Sequence, residues 1–157
     1  MILSGDTLPS GMRGQRDGRP AGLVDVVPTL CEAAGVSPDP RWPGMSLLGD
    51  RRRGGAFCEF HGGGTELPQI APAWMWRTDR YKLILFRDGT VLDDAPLRGE
   101  LYDLKTDPHE WFNLFDDPAY RDVRDRLTME LIGHVSTAFA RGSAFGDYRG
   151  FAPLRPD

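Results

Sequence analysis

With 157 residues, 40% hydrophobic and 27% charged, the chain has the makeup of a globular protein with apolar material for one modest core. A formal net charge of −4 argues against a general binder of nucleic-acid phosphates, which needs surplus Lys and Arg. Apolar runs as short as Leu83 to Phe86 argue against a membrane-spanning helix of about twenty residues.

The first residues, Met1 to Asp6, lack the basic and apolar regions of a secretory signal, so location is not legible here. Met1-Ile2-Leu3 reads as a strand end, and the Gly-, Pro- and Arg-rich stretch to Ala21 as a loop. The segment from Gly22 to Gly35 predicts a short amphipathic helix. In it Asp25 bonds to first-turn amides, Pro28 sits early, Val27, Leu30, Cys31 and Ala34 share a face, and Gly35 supplies a left-handed stop. Prolines at 38, 40 and 43 and glycines at 44, 49, 54 and 55 mark a connector with one turn around Met45 to Leu48. Arg51-Arg52-Arg53, the basic run inside it, reads as a solvated loop.

Strands are expected over Ala56 to Phe60, Ala73 to Arg77 and Tyr81 to Phe86, the last two joined by a tight turn at Thr78-Asp79-Arg80, and a fourth over Glu100 to Leu104. A polar loop, 87–99, precedes that fourth strand. A helix capped by Asp117 with Pro118 in its first turn then runs to about Phe139, with Tyr120, Val123, Leu127, Leu131 and Val135 as its buried stripe. Residues 142–157 form a tail. Cys31 and Cys58 lack C-x-x-C spacing and read as small buried groups. The fold class is therefore α+β: a small antiparallel sheet of about four strands packed by a long C-terminal helix, preceded by a short helix.

Two stretches carry more than periodicity. Val24-Asp25-Val26-Val27-Pro28-Thr29-Leu30, followed by Gly35 and by Pro43-Gly44-Met45-Ser46-Leu47, resembles a run near the end of the large α/β domain of formylglycine-dependent sulfatases. Met75-Trp76-Arg77-Thr78-Asp79-Arg80-Tyr81-Lys82-Leu83-Ile84, then Glu100 to Glu110 and Asn113-Leu114, is similar to that family's C-terminal subdomain. The resemblance implies that residues 1–50 are the end of the large domain, 51–141 the C-terminal subdomain and 142–157 a tail. Alternatives are the end of a related phosphodiesterase or phosphonate hydrolase, or a standalone binding or structural module.

The resemblance also implies chemistry for which this chain lacks the parts. The family cleaves sulfate esters with a formylglycine made within C/S-x-P-x-R, beside a calcium ion. Here Cys31 precedes Glu32-Ala33-Ala34-Gly35, Cys58 precedes Glu59-Phe60-His61-Gly62, and no Ser opens the pattern. Asn113, the single asparagine, follows Phe112, so the family's Asp-Asn calcium pair cannot form. Lys82 and Lys105, the two lysines, lie in the subdomain motifs. No catalytic residue, metal ligand or cofactor is therefore expected within the chain, and no sulfatase activity from it alone. Its expected partner is a missing N-terminal catalytic domain or a complementing chain, with a sulfated small molecule or sugar as the parent enzyme's substrate; no nucleic acid or membrane is expected.

One residue is a candidate for substrate contact. His61 ends the first strand ahead of Gly62-Gly63-Gly64, where backbone can approach a ligand closely. The competing reading is a strand cap followed by a flexible turn. His109 and His134 read as surface or interface residues. Without a partner, the helix before Gly35 is expected to expose Val27, Leu30 and Cys31 and so to promote association.

Overall fold

The computed structural model describes residues 3–6, 8–50, 53–61, 72–86 and 97–144, with side chains in the last helix as far as Thr137. Strands β1 (Ala56–Phe60), β2 (Ala73–Arg77), β3 (Tyr81–Phe86) and β4 (Gly99–Asp103) form one antiparallel sheet in the order β1-β2-β3-β4. The first three have the predicted bounds. The fourth lies one residue earlier than expected, because Gly99 already pairs with Leu85 and the chain turns away at Leu104. In the β2–β3 turn the Thr78 hydroxyl accepts hydrogen bonds from the amides of Tyr81 (2.9 Å) and Arg80 (3.3 Å), which replaces a longer loop.

Period-two alternation sorts the side chains onto two faces. Phe57, Trp76, Leu83 and Leu101 stand in one cross-strand row, with Leu85 beside them, and helix α2 (Arg121–Ala144) covers that face. Leu127 and Leu131 of α2 are fully buried against it, and Trp76 Nε1 reaches Glu130 Oε2 at 3.1 Å. The Trp76 indole thus buries its body and keeps a partner for its donor. A 3-10 turn, Pro118–Tyr120, precedes α2, and Asp117 caps it by accepting from the Ala119 amide at 2.9 Å. The helix continues five residues beyond the expected end at Phe139, since Gly142 near a terminus costs only about 1 kcal/mol.

Asn113 closes the free edge of β4. Its Oδ1 accepts from the amides of Leu101 and Phe115, both at 3.0 Å, its Nδ2 donates to the Gly99 carbonyl at 3.3 Å, and the Leu114 amide reaches the Leu101 carbonyl at 2.8 Å. These bonds stand in for a fifth strand and drive Phe115 into the core. They also explain Gly99: a Cβ there would lie 2.3 Å from the Ile84 carbonyl oxygen and 2.6 Å from the Phe115 ring.

Ahead of the sheet, a 3-10 turn (Leu23–Asp25) leads into helix α1 (Val26–Ala33). Gly35 adopts the left-handed conformation (φ 71°), and the Val36 amide returns to the Cys31 carbonyl at 2.8 Å, as a glycine stop requires. Leu3 is in no strand, Met1 and Ile2 lie outside the described residues, and the segment expected as a plain loop contains a 3-10 turn at Ser10–Met12. The expected helical turn at Met45 to Leu48 does not form: the Met45 and Leu47 amides bond to the side chains of Asp25 and Thr29, and the Leu48 amide bonds to the Ser46 hydroxyl. Both cysteines also depart from expectation. Cys58 is exposed because it lies on the sheet face opposite α2, and Cys31 is partly exposed on an uncovered face of α1. The Gly62-Gly63-Gly64 loop, most of the 87–99 loop, and the tail beyond Ala144 lie outside the described residues.

Candidate functional site

Outside the core, Asp25, Thr29 and Arg19 form a polar clasp between α1 and the connector after it. Asp25 is fully buried, and its carboxylate accepts from the amides of Gly22 (2.8 Å) and Met45 (2.9 Å) and from the Arg53 guanidinium. Thr29 donates to the Asp25 carbonyl at 2.6 Å and accepts from the Leu47 amide at 3.0 Å. Arg19 donates to the carbonyls of Gly49 (2.7 Å) and Leu47 (3.3 Å). Gly44 lies so close to the turn before α1 that a Cβ would fall 1.8 Å from the Val24 carbonyl oxygen.

This corrects two expectations. Asp25 does not cap the first turn ahead of it: it reaches back to Gly22 and across to Met45, because a buried carboxylate needs several donors and the connector supplies them. Arg53 is no solvated loop residue; its side chain is 13% exposed and paired with Asp25, while Arg51 and Arg52 lie outside the described residues.

The clasp inverts α1. Asp25, Pro28 and Thr29 are the buried residues of this segment, whereas Leu23 (86% exposed), Val27 (52%) and Leu30 (62%) form an apolar stripe open to water. A surface helix ordinarily turns the other way.

A second polar group braces the end of the β3–β4 pair. Buried Asp103 accepts from Arg80 through both guanidinium Nε (3.1 Å) and Nη2 (2.8 Å), and from the Lys105 amide at 3.2 Å. The Arg80 guanidinium holds the Asp103 carboxyl below its ordinary range, against the opposing effect of burial. On the other face, Lys82 pairs with Glu110 at 2.5 Å and the Tyr102 hydroxyl donates to Glu100 at 3.0 Å. Burial, then the bond to Glu100, pushes the Tyr102 phenol up to about 12. These groups are committed to one another and position the loop after β4.

His61 directly follows β1, with 76% of its side chain exposed and its Nε2 3.6 Å from Glu59 Oε1. It stands apart from the other two histidines: His109 stacks on Trp111 (ring centroids 5.2 Å), and His134 packs between the rings of Phe57 and Trp76. Among the described residues, the buried carboxylates Asp25 and Asp103 already receive protein donors and so do not fit a calcium site. Among the described residues no three His, Cys, Asp or Glu side chains converge as a metal site, and no helix is long and apolar enough to cross a membrane. The sequence gives no clue to the Asp25–Arg53 pairing or to the display of Trp111, because both depend on where loops fold.

The chain is similar to known proteins over most of its length. Residues 15–136 match the family described as N-sulphoglucosamine sulphohydrolase, C-terminal. The chain is 30% identical over 130 residues to the uncharacterized sulfatase YidJ of Escherichia coli, covering 81% of this chain and 24% of that protein. It is 32% identical over 108 residues to a Δ4,5-hexuronate-2-O-sulfatase of Bacteroides thetaiotaomicron, covering 64% of this chain and 20% of that one. Among solved structures, a putative sulfatase from Bacteroides thetaiotaomicron superposes with a TM-score of 0.61 at 28% identity, over 72% of this chain and 24% of its own. A structure described as BT4656 in complex with its substrate D-glucosamine-2-N,6-O-disulfate gives a TM-score of 0.57 at 26% identity, over 70% and 23%. The chain thus spans about a quarter of the length of the relatives it matches. With the family matched across the clasp, the sheet and most of α2, the chain belongs to the C-terminal family of N-sulphoglucosamine sulphohydrolases, within the sulfatases.

Proposed function

We propose that this chain is the C-terminal part of a sulfuric ester hydrolase, completing the fold of a catalytic portion that supplies the formylglycine nucleophile and the calcium site. Residues 1–50 then belong with the large domain, 51–141 form the subdomain, and 142–157 a tail. The observation that carries this reading is the inverted burial of α1: Asp25 and Thr29 face inward while Leu23, Val27 and Leu30 face water. Exposing such a stripe is unfavourable by about 25 cal/mol per Å2 of apolar surface, and a catalytic portion seated on it would remove that cost.

In the same reading, β1 delivers His61 to the border of the substrate pocket, where its imidazole hydrogen-bonds a sulfate oxygen or a sugar hydroxyl. High exposure at a strand end supports this, as does a sulfated glucosamine as the substrate of one structural relative. Size-exclusion chromatography of the isolated chain tests the docking stripe: the chain should self-associate with rising concentration, and Leu30→Glu should shift it toward monomer. A wild-type chain that stays monomeric and soluble at high concentration would overturn the reading.

A further inference from the structure

The loop after β4 displays aromatic surface that neither the core nor the α1 stripe accounts for. Trp111 is 76% exposed and Phe112 68% exposed, and large aromatics seldom stand so far out of a folded chain. Their backbone is firmly held. Glu110 sits in the left-handed region (φ 59°) and pairs with Lys82, its amide donates to the Asp107 carbonyl at 3.2 Å, and the Phe112 amide donates to the Asp107 carboxylate at 2.9 Å. Asn113 then ties the next residue to β4. His109 covers one face of the Trp111 indole, with ring planes 23° apart.

We propose that Trp111 and Phe112 form a second docking point for the catalytic portion of the sulfatase, received by an apolar pocket with a basic rim. The inference rests on the reading that this chain is a sulfatase C-terminal part. Three observations select that occupant. The loop falls inside the matched family region, so it belongs to the shared architecture, and the relatives carry about three quarters of their length outside the part matched here. A pinned backbone presenting two aromatics has little ordering left to lose on binding, which suits a central interface anchor. Carboxylates at 107, 110, 116 and 117 flank the pair against Lys105 and the Lys82 that pairs with Glu110, which leaves the setting net negative. That setting repels a sulfated saccharide and favours a partner surface rich in Lys and Arg.

The test mixes the full 157-residue chain with the preceding portion of YidJ, produced as a separate polypeptide, and measures their affinity by titration calorimetry. Trp111→Ala with Phe112→Ala should weaken binding at least roughly thirtyfold, as loss of an aromatic anchor does. The same variant alone should melt within about 2 °C of wild type, since exposed side chains contribute little to the isolated fold. Complex formation with unchanged affinity of the double variant would overturn this inference and leave the α1 reading standing. Absence of any complex with the wild-type chain would overturn both. A double variant that unfolds by itself would show the pair to be structural, and would overturn the docking assignment alone.

Discussion

Replacing Asp25 with Ala removes one acceptor from three donors at once: the amides of Gly22 and Met45 and the guanidinium of Arg53. Arg53 is left largely buried with Nε already lacking a hydrogen-bond partner, so the deletion strands a charge as well as two amides. Losing one member of a buried pair costs about 3 to 5 kcal/mol, and bonds to a charged acceptor about 1.5 to 3 kcal/mol each, but one carboxylate serves all three and the terms overlap. About 4 kcal/mol is the reasonable figure, against a total of roughly 5 to 15 kcal/mol for a domain. The loss should be local, because the clasp bonds join residues 19–53 to one another and the sheet's core is built from residues 76–135. Native-state hydrogen exchange followed by mass spectrometry measures this directly. In Asp25→Ala the amides of Met45 and Leu47 should exchange roughly a thousandfold faster while those of Leu83 and Leu101 stay protected. A change below about tenfold at Met45 and Leu47 would refute the clasp as the device that holds the connector.

Substitutions at two further positions probe the sheet. Asn113→Ala leaves the Leu101 and Phe115 amides without their acceptor and the Gly99 carbonyl without its donor, so it should cost about 2 to 3 kcal/mol and lower the melting temperature by roughly 10 °C. Asn113→Asp, which keeps the oxygen, should lose less; equal losses would count against the edge-closing role. The Asp103 carboxyl is lowered in the folded state by Arg80, so its stabilisation is present above the unfolded value near about 3.9 and is lost as pH falls through the folded value. Urea denaturation from pH 6 downward should therefore show an acid-side loss that Asp103→Asn lacks. The difference between the two curves separates this pair from the exposed Asp39–Arg41 pair, whose carboxyl lies at about 2. Parallel curves would remove Asp103 as a source of the acid limb.

What could be read from the residues alone was whatever depends on periodicity and local chemistry. Alternation fixed β1 to β3, the 120–135 stripe located the buried face of α2, and Asp117-Pro118 and Gly35 marked helix ends, because each signal acts within a few residues. The errors at the clasp concern polar groups whose partners lie far along the chain. Asp25 looked like a cap because Asp before a helix usually is one, and nothing local says that Met45 and Arg53 will fold back onto it. Cys58 looked buried by residue type, yet its strand position turns it away from α2. Candidate-site legibility is narrower still. The strand pattern and the glycines after it located His61 at a strand end, and the exposed aromatics at 111 and 112 emerge only from the path of the loop between Asp103 and Asn113.

The clasp grips the connector through main-chain groups: Asp25 and Thr29 take the amides of Met45 and Leu47, and Arg19 the carbonyls of Leu47 and Gly49. Side-chain identity at 45, 47 and 49 is therefore irrelevant to the grip, provided the residue keeps its N–H, which proline alone lacks. Those three positions can be rewritten in what they show outward without loosening the mooring, whereas Gly44 and Arg53, which act through the missing Cβ and the side chain, cannot.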